Sequence, residues 1–200
     1  MWNQRYSEPG FAYGTAPNDF LVSVLDRIPQ GRILSLGEGE GRNAAFLASH
    51  GYDVIAVDFS EVGLEKAKRL AVERGVRITT LTADLRDLTI EPESWEGVIS
   101  IFCHLPKEVR APLYRAVVGG LKPRGVFVLE AYTPRQREYG TGGPSAEELL
   151  VSLHDLRQEL SGLQFTLAVE KEREVLEGIY HHGLAQVVQV VGVKTTTPFV

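Results

Sequence analysis

Short apolar runs rich in β-branched residues alternate along the chain with segments of helical periodicity. Five runs predict mostly buried strands, at 32–36, 54–57, 78–82, 97–102 and 126–130. Three intervening segments predict helices, at 43–49, 61–74 and 107–121. A glycine or proline follows shortly after each segment, as is typical beyond the end of a helix. The alternation indicates an α/β protein, in which helices connect the strands of a parallel sheet.

The C-terminal quarter has a different pattern. Ser145, with Glu148 three residues later, has the spacing of a capping box and predicts the start of a helix. Two long apolar runs follow, at 165–175 and 185–193, and the nine residues between them leave no room for a crossover helix. These runs therefore predict neighbouring antiparallel strands, which complete a mixed seven-stranded sheet.

The chain reads as a single domain over residues 1–200, by the usual relation between length and domain count. Residues 18–28 predict a helix closed by Pro29, so that 1–30 form an N-terminal cap and helix. The sheet core then spans 31–200.

Charge and composition limit the class of partner. With 21 Lys and Arg against 26 Asp and Glu, the chain has a formal net charge of −5 and lacks the basic field that neutralises nucleic-acid phosphates. No run of about 18 apolar residues predicts a membrane span. The first residues lack the basic and apolar parts of a secretory signal, which favours the cytoplasm. No Cys/His cluster has zinc spacing, so we expect no bound metal.

Glycine recurs at alternate positions directly after the first predicted strand, at Gly37, Gly39 and Gly41. Residues without a Cβ let backbone N–H groups and a helix N-terminus approach a ligand closely. The dinucleotide fingerprint G-x-G-x-x-G would need glycine at position 42, where the chain has Arg42. Glu38 and Glu40 would repel a pyrophosphate but suit an ammonium and a sulfonium. The loop therefore favours a cationic cofactor.

Carboxylates also stand at the ends of the next two predicted strands. Asp58 ends the second strand and can accept hydrogen bonds from both ribose hydroxyls. Asp84 ends the third, where it could accept from an adenine amino group, and Phe59 and Leu85 offer apolar faces for the base. Any one of these acids could instead be a helix cap or part of a solvated turn. Together they lie where open parallel sheets bind ligands, at the carboxyl ends of adjacent strands.

With these motifs the chain resembles the class I S-adenosylmethionine-dependent methyltransferases. The resemblance rests on I-L-S-L-G-E-G-E-G-R-N at 33–43, V-I-A-V-D-F-S at 54–60 and T-A-D-L at 82–85. The opening W-N-Q-R-Y-S-E-P-G-F-A-Y-G-T-A-P-N-D-F-L is similar to the tellurite-resistance methyltransferase-like branch. The family implies a Rossmann-like three-layer sandwich with strand order 3-2-1-4-5-7-6 and strand seven reversed.

The resemblance also implies S-adenosyl-L-methionine as cofactor. The positions that would contact it are Gly37, Gly39, Gly41, Asp58, Asp84, Leu85, Ile101 and Phe102. Many relatives carry an acid two residues before the first glycine, where this chain has Ser35. Glu38 is the nearest replacement, and we expect it to help hold the cofactor's ammonium indirectly.

The acceptor side offers four candidate catalytic residues: His104, His181, His182 and Tyr132. A soft nucleophile can attack a sulfonium methyl unaided, whereas an oxygen or neutral nitrogen nucleophile needs a nearby base. Each histidine could equally be a loop or hairpin residue without a catalytic role. Cys103 is read as a small buried apolar residue in preference to a methyl acceptor or metal ligand.

The N-terminal segment carries aromatic and basic residues that could fold over the methionine end of the cofactor: Trp2, Arg5, Tyr6, Phe11 and Tyr13. They could instead pack on the core. The loop after the fifth strand, with Arg135, Arg137 and Tyr139, is either a lid or a solvated connection.

We therefore predict an S-adenosylmethionine-dependent methyltransferase acting on a small molecule, with a thiol or soft chalcogen as a candidate acceptor. The N/D-P-P-Y/F/W signature of adenine and glutamine-amide methylation is missing after the fourth strand. A non-catalytic cofactor-binding regulatory protein is the alternative, and a nicotinamide-dependent oxidoreductase is disfavoured by Arg42. The oligomeric state is left open.

Overall fold

Apolar β-branched runs form the strands of the sheet in the computed structural model, which describes residues 2–195. The strands are β1 (Arg32–Leu36), β2 (Asp53–Asp58), β3 (Thr79–Thr82), β4 (Trp95–Ile101), β5 (Leu121–Tyr132), β6 (Leu163–Glu177) and β7 (His181–Lys194). The helices are α1 (Trp2–Tyr6), α2 (Asp19–Ser23), α3 (Arg42–Ser49), α4 (Glu61–Glu73), α5 (Lys107–Gly120) and α6 (Leu153–Glu159).

The sheet has the order β3-β2-β1-β4-β5-β7-β6, as predicted. Strands β1 to β5 pair in parallel, with Ser35 of β1 opposite Ala56 of β2 and Ile99 of β4. Strand β7 runs antiparallel to both β5 and β6. The carboxyl ends of β1, β2 and β4 therefore meet at one edge of the sheet, where the connecting loops build the site.

The two faces of the sheet are covered by different helices because successive side chains of a strand point to opposite sides. Ile33 of β1 packs in a cluster with Leu21 of α2 and Leu47 of α3. Leu34, the next residue, packs in a second cluster with Val117 of α5. The result is the three-layer α/β arrangement that the family resemblance implies.

The helix predicted to begin at Ser145 begins instead after Ser152. The Ser152 Oγ accepts a 3.1 Å hydrogen bond from the Asp155 N–H and caps α6, whereas residues 147–149 form a single 3-10 turn. Both serines are followed three residues later by an acid, so the capping pattern alone does not separate them. Leu156 and Leu160, which share a core cluster with Val117 of α5, both come after Ser152, and this packing favours the later start.

Two other boundaries also differ from the prediction. Residues 18–28 contain the short helix α2 followed by a separate 3-10 turn, Leu25–Arg27, and do not form one continuous helix. The link between β6 and β7 is three residues long, at 178–180, because the strands continue well beyond their apolar runs. Charged residues of β6 extend its ladder toward the site. Among residues 2–195, no helix is both long and apolar enough to cross a lipid bilayer.

Candidate functional site

A glycine turn joins the end of β1 to α3. Gly37, Gly39 and Gly41 have φ angles of 61°, 63° and 90°, in the left-handed region that favours glycine. A Cβ on Gly37 would lie 2.6 Å from the Cys103 Sγ, and one on Gly41 would lie 2.5 Å from the Ala67 Cβ. The turn therefore requires glycine both for its backbone conformation and for its close contacts.

The Glu38 side chain is directed inward and caps α3. Its Oε1 accepts hydrogen bonds from the backbone N–H groups of Asn43, at 3.1 Å, and Ala44, at 2.9 Å. Its Oε2 accepts a hydrogen bond from the Ser35 hydroxyl. Burial raises the pKa of Glu38, and these donors oppose the rise. Any hold of Glu38 on a cofactor ammonium is therefore indirect, through the backbone of the turn.

The Glu40 side chain binds the N-terminal segment and α4. Its Oε2 accepts a 2.7 Å hydrogen bond from the Ala12 N–H, and its Oε1 lies 2.8 Å from the Lys66 Nζ. The sequence interpretation that Glu40 faces a cationic ligand is therefore wrong, since its carboxylate is already paired within the protein. The Glu40 carboxylate thus connects the N-terminal segment to α4.

Asp58, at the end of β2, is fixed beside the glycine turn by backbone donors. Its Oδ2 accepts a 2.8 Å hydrogen bond from the Gly39 N–H, and its Oδ1 accepts one of the same length from the Ser60 N–H. Burial raises the pKa of Asp58, while the backbone N–H groups of Ser60 and Gly39 lower it. Each carboxylate oxygen keeps a lone pair for a further donor. The side chain is thus held in place and can still accept hydrogen bonds from a ligand.

The three residues predicted to surround an adenine have different environments. Phe59 is 63% exposed, an unusual position for an aromatic side chain. Asp84 is ion-paired with Arg86 at 2.6 Å, and hydrogen bonds from Arg86 lower the pKa of its carboxyl. Leu85 is buried in the core cluster that includes Leu36. Of the three side chains, that of Phe59 is the most accessible and that of Leu85 the least.

The N-terminal segment, residues 2–17, lies across the glycine turn. A Cβ on Gly39 would be 2.7 Å from the Tyr6 hydroxyl, so the Tyr6 ring covers the turn directly. The Lys66 Nζ donates to the carbonyls of Glu8, at 2.9 Å, and Gly10, at 2.6 Å. Tyr6 is buried, and that burial raises the pKa of its hydroxyl. Lys66 of α4 and Glu40 of the turn therefore both bond to the segment, and Tyr6 covers the turn.

An aromatic cluster, defined here as Tyr13, Phe102, His104, Tyr132 and His181, forms next to the glycine turn. The Phe102 ring centroid lies 4.7 Å from that of Tyr132 and 4.8 Å from that of His181. His104 stacks on Tyr132 at 5.5 Å, and Tyr13 lies 4.5 Å from His181. Three of the four candidate catalytic residues thus meet in one cluster.

Several polar atoms in the aromatic cluster are buried without a hydrogen-bond partner among the described residues. They are both ring nitrogens of His104, the hydroxyl of Tyr132 and the Nδ1 of His181. Burial lowers the pKa of His104 to about 3 and also lowers that of His181, so both rings are held toward the neutral form. Burial raises the pKa of Tyr132. Unpaired buried polar atoms are costly, and a polar ligand would satisfy them.

The backbone at the end of β4 directs two neighbouring residues to different places. Phe102, which follows Ile101, has a φ of 50°, an uncommon conformation for a residue with a large side chain. Its ring joins the aromatic cluster, while Cys103 packs against Gly37. Burial raises the pKa of the Cys103 thiol to about 12, which agrees with its reading as a small apolar residue. The cluster and the glycine turn are therefore adjacent.

His182 does not join the other candidates. Its side chain is exposed, whereas that of His181 is buried, because consecutive residues of β7 face opposite sides. The side chains of the loop after β5 are occupied within the protein. Arg137 is ion-paired with Glu147 at 2.7 Å, and the Tyr139 hydroxyl donates to Glu172.

Sequence reasoning missed a buried ionic network behind the aromatic cluster. Its members are Asn18, Arg42, Glu130, Arg173, Glu177 and Gln189. Glu130 is a charged residue within the otherwise apolar central part of β5, and it is 0% exposed. A lone glutamate inside an apolar strand was the available signal, because a buried carboxylate requires charged or polar partners. The partners themselves are far apart in sequence. Within residues 2–195, no group of three or more His, Cys, Asp or Glu is arranged to hold a metal ion.

Comparison with known proteins connects this geometry to a family. Residues 33–125 match the family described as "Methyltransferase domain". A relative named "Ubiquinone biosynthesis O-methyltransferase", from Rickettsia felis, is 27% identical over 130 residues, covering 65% of this chain and 53% of its own length. The chain thus spans about half the length of that relative.

Two solved structures share the fold at low identity. One, described as "Conversion of a Disulfide Bond into a Thioacetal Group during Echinomycin Biosynthesis", has a TM-score of 0.78 and 19% identity, covering 98% of this chain and 89% of its own. TehB from Haemophilus influenzae has a TM-score of 0.74 and 17% identity, covering 97% and 66%. Both likenesses extend over nearly the whole chain and therefore include the N-terminal segment and β6 and β7.

Proposed function

We propose that this chain, which matches a methyltransferase domain over residues 33–125 and shares the fold of the solved structures above, transfers a methyl group from S-adenosyl-L-methionine to a small molecule. The observation that carries the proposal is the convergence of three features at one sheet edge: the glycine turn, Asp58 and the aromatic cluster. The first two suit the cofactor, and the third suits an acceptor. Cys103 links them, since it packs on Gly37 and stands between Phe102 and His104 in the chain.

The residues at the edge fit S-adenosyl-L-methionine. The glycine turn is a cradle that side chains would fill, and Asp58 keeps lone pairs for the ribose hydroxyls. Phe59 offers an exposed face for the adenine ring. When bound, the cofactor supplies a methyl group on a sulfonium, which is already activated for displacement. The protein's part is to align the acceptor with that methyl and to exclude water.

Tyr6 and Tyr13 would close the site from the N-terminal side. Tyr6 covers Gly39, and the Tyr13 hydroxyl accepts a 2.8 Å hydrogen bond from Arg5. Aromatic ring faces attract cations, so Tyr13, which contacts His181, is suited to line the sulfonium side of the acceptor site. Opening of the segment would admit the cofactor, and its closure would exclude water.

The aromatic cluster supports an acceptor that carries a proton, such as a thiol. The ring of His181 is neutral and buried, and a neutral imidazole can take the proton that a thiol or hydroxyl loses on methylation. His104 and the Tyr132 hydroxyl are buried without partners and would hydrogen-bond the acceptor. A thiol or related chalcogen, being polarisable, also suits the aromatic walls.

Two measurements test the proposal. Calorimetric titration should show binding of S-adenosylhomocysteine and no binding of NAD; binding of NAD alone would overturn the methyltransferase assignment. A screen of thiols, selenite, tellurite, small amines and phenols should then show acceptor-dependent release of S-adenosylhomocysteine. Cofactor binding without release in any arm would favour a non-catalytic binding protein.

Paired histidine variants test the acceptor site. We expect His181→Ala to lower kcat by about 10²–10⁴-fold if the acceptor must lose a proton. His182→Ala is the matched control, because the adjacent side chain is exposed on the opposite face of β7. Equal loss in both variants would show that the aromatic cluster is not the acceptor site.

A further inference from the structure

A carboxylate stands directly behind the histidine of the proposed acceptor site. The Glu177 Oε2, at the end of β6, lies 3.8 Å from the His181 Nδ1, which has no hydrogen-bond partner among the described residues. The two residues lie opposite each other in the β6–β7 register, across the three-residue link. Hairpin geometry thus places a carboxylate beside the imidazole nitrogen that faces away from an acceptor at Nε2.

Glu177 is held in this position by three donors, one on its own strand β6 and two from distant parts of the chain. Its Oε1 accepts a 2.8 Å hydrogen bond from the Asn18 Nδ2 and one of 3.2 Å from the Arg173 Nη2. Its Oε2 accepts from the Arg42 Nη2. The Oε2 atom therefore has a lone pair left on the side of His181.

The imidazole of His181 is equally fixed. Tyr13 lies 4.5 Å from it, Phe102 lies 4.8 Å away at an interplanar angle of 68°, and Tyr132 lies 5.3 Å away at 84°. Rings on these sides leave little rotational freedom. A short movement of the Nδ1 toward Glu177 is enough to form a hydrogen bond from the present 3.8 Å.

The charges around the Glu177–His181 pair allow His181 to become protonated. Two carboxylates, Glu130 and Glu177, are joined by two guanidiniums, Arg42 and Arg173, so the buried network is neutral as a whole. Burial opposes ionisation of Glu177, but its contact with His181 and the charge of Arg42 outweigh burial and bring the pKa of its carboxyl to about 2. The carboxylate is therefore charged at neutral pH.

We infer that Glu177 is a positioning residue for methyl transfer, which stabilises the imidazolium of His181 through an Nδ1–H hydrogen bond. In the step, the acceptor atom forms a bond to the methyl carbon, and the carbon–sulfur bond breaks with its electron pair staying on sulfur. The acceptor's proton passes to the His181 Nε2, while the Nδ1–H donates to Glu177. The carboxylate fixes the tautomer and stays ionised, as in other histidine–carboxylate pairs. This role rests on the proposed function.

The decisive measurement is the pH titration of His181. It is monitored by the NMR signals of the imidazole ring, with S-adenosylhomocysteine bound and no acceptor present. Burial lowers the pKa of His181, and Glu177 opposes that shift. Glu177→Gln should therefore lower the pKa further. The charged and polar groups facing His181 from the other elements also enter its titration; they are Arg5, Tyr13, Arg42, His104 and Tyr132.

Glu174→Gln is the matched control, because Glu174 lies on the same strand with its side chain exposed. It should leave the His181 titration and kcat unchanged.

In Glu177→Gln we expect kcat to fall on the order of 10²-fold with little change in cofactor affinity. The acid limb of the kcat profile should also move to lower pH. If that variant does not fold, Glu177→Asp keeps the charge and should shift the titration in the same direction by a smaller amount.

The outcomes separate this inference from the proposed function. An unchanged His181 titration in a folded Glu177 variant would overturn the positioning role, whatever the turnover. A shifted titration without acceptor-dependent release of S-adenosylhomocysteine by the wild-type chain would overturn the methyltransferase proposal, and the positioning role with it.

Discussion

The carboxylate of Asp58 accepts a 2.8 Å hydrogen bond from the backbone N–H of Gly39. This contact joins the end of β2 to the glycine turn after β1, so that the proposed ribose site and the proposed methionine site are one rigid unit. Burial of Asp58 makes the bond effectively stronger than it would be in water. The position of the turn and the direction of the carboxylate are therefore coupled.

Replacement of Asp58 should weaken cofactor binding strongly. Hydrogen bonds to a charged group contribute about 1.5–3 kcal/mol, so Asp58→Ala should raise the Kd for S-adenosylhomocysteine by roughly 10- to 100-fold. Calorimetry measures this directly. Asp53→Asn, at the opposite and exposed end of β2, should leave the Kd unchanged. Unaltered affinity in Asp58→Ala would remove the ribose contact from the site.

Glu38 should contribute more to stability than to binding. Its carboxylate accepts from two N–H groups at the start of α3, and loss of an N-terminal cap typically costs about 1 kcal/mol. Glu38→Ala should therefore lower the free energy of unfolding by about 1–2 kcal/mol in urea denaturation. Glu38→Gln keeps one acceptor oxygen and should lose less. If Glu38→Gln also leaves affinity for S-adenosylhomocysteine unchanged, its indirect hold on the cofactor ammonium is refuted.

Local pattern predicted the strands and the antiparallel last pair, whereas the strand order was implied by the family resemblance. Parallel strands need crossover helices and an antiparallel pair does not, so the reversal of β7 was readable from the short link before it. The direction of a side chain depends on packing across the fold. Glu40 and Glu38 look alike in sequence, but only the structure shows that one pairs with Lys66 and the other with α3. For the same reason Glu177 was not predicted, since its partners come from distant segments.

Lys66 should control release of the N-terminal segment. Its ammonium holds two carbonyls of the segment and the Glu40 carboxylate, and its side chain is nearly buried. Lys66→Met keeps the length of the side chain and removes these bonds. We expect limited proteolysis to cleave within residues 7–17 about 10-fold faster in this variant. Without these bonds the segment opens at a lower free-energy cost, so its backbone is exposed to the protease more often.

Bound S-adenosylhomocysteine should restore protection, since the segment closes over the proposed site. Lys68→Met, whose ammonium pairs only with the exposed Glu65 among the described residues, is the control and should not change the rate. Cleavage at the wild-type rate in Lys66→Met would mean that other contacts of the segment hold it down, such as the Ala12 N–H with Glu40 and the Thr15 carbonyl with Arg74.

Breaking the buried pair between Arg110 of α5 and Glu159 of α6 should destabilise the fold strongly. Both side chains are 4% exposed, and the guanidinium donates twice to the carboxylate, at 2.8 and 3.0 Å. Removing one member of a buried pair leaves an unpaired charge, so Glu159→Gln should cost about 3–5 kcal/mol. The double change Arg110→Met with Glu159→Leu should recover most of that loss in thermal denaturation, without altering cofactor affinity.

The stability of the fold should fall on mild acidification because of His104. Burial lowers the pKa of this imidazole to about 3, from an ordinary value near 6.5. Between these values the unfolded chain takes up a proton that the folded chain does not, so stability decreases as pH falls from 6.5. The slope from one such group is at most about 1.4 kcal/mol per pH unit. His104→Asn removes the titration, so the difference in unfolding free energy between pH 7 and pH 5 should become smaller. His154→Asn, exposed on α6, is the control. An identical pH dependence in His104→Asn would show that the imidazole reaches water in the folded protein, which would also weaken its assignment to a dry acceptor site.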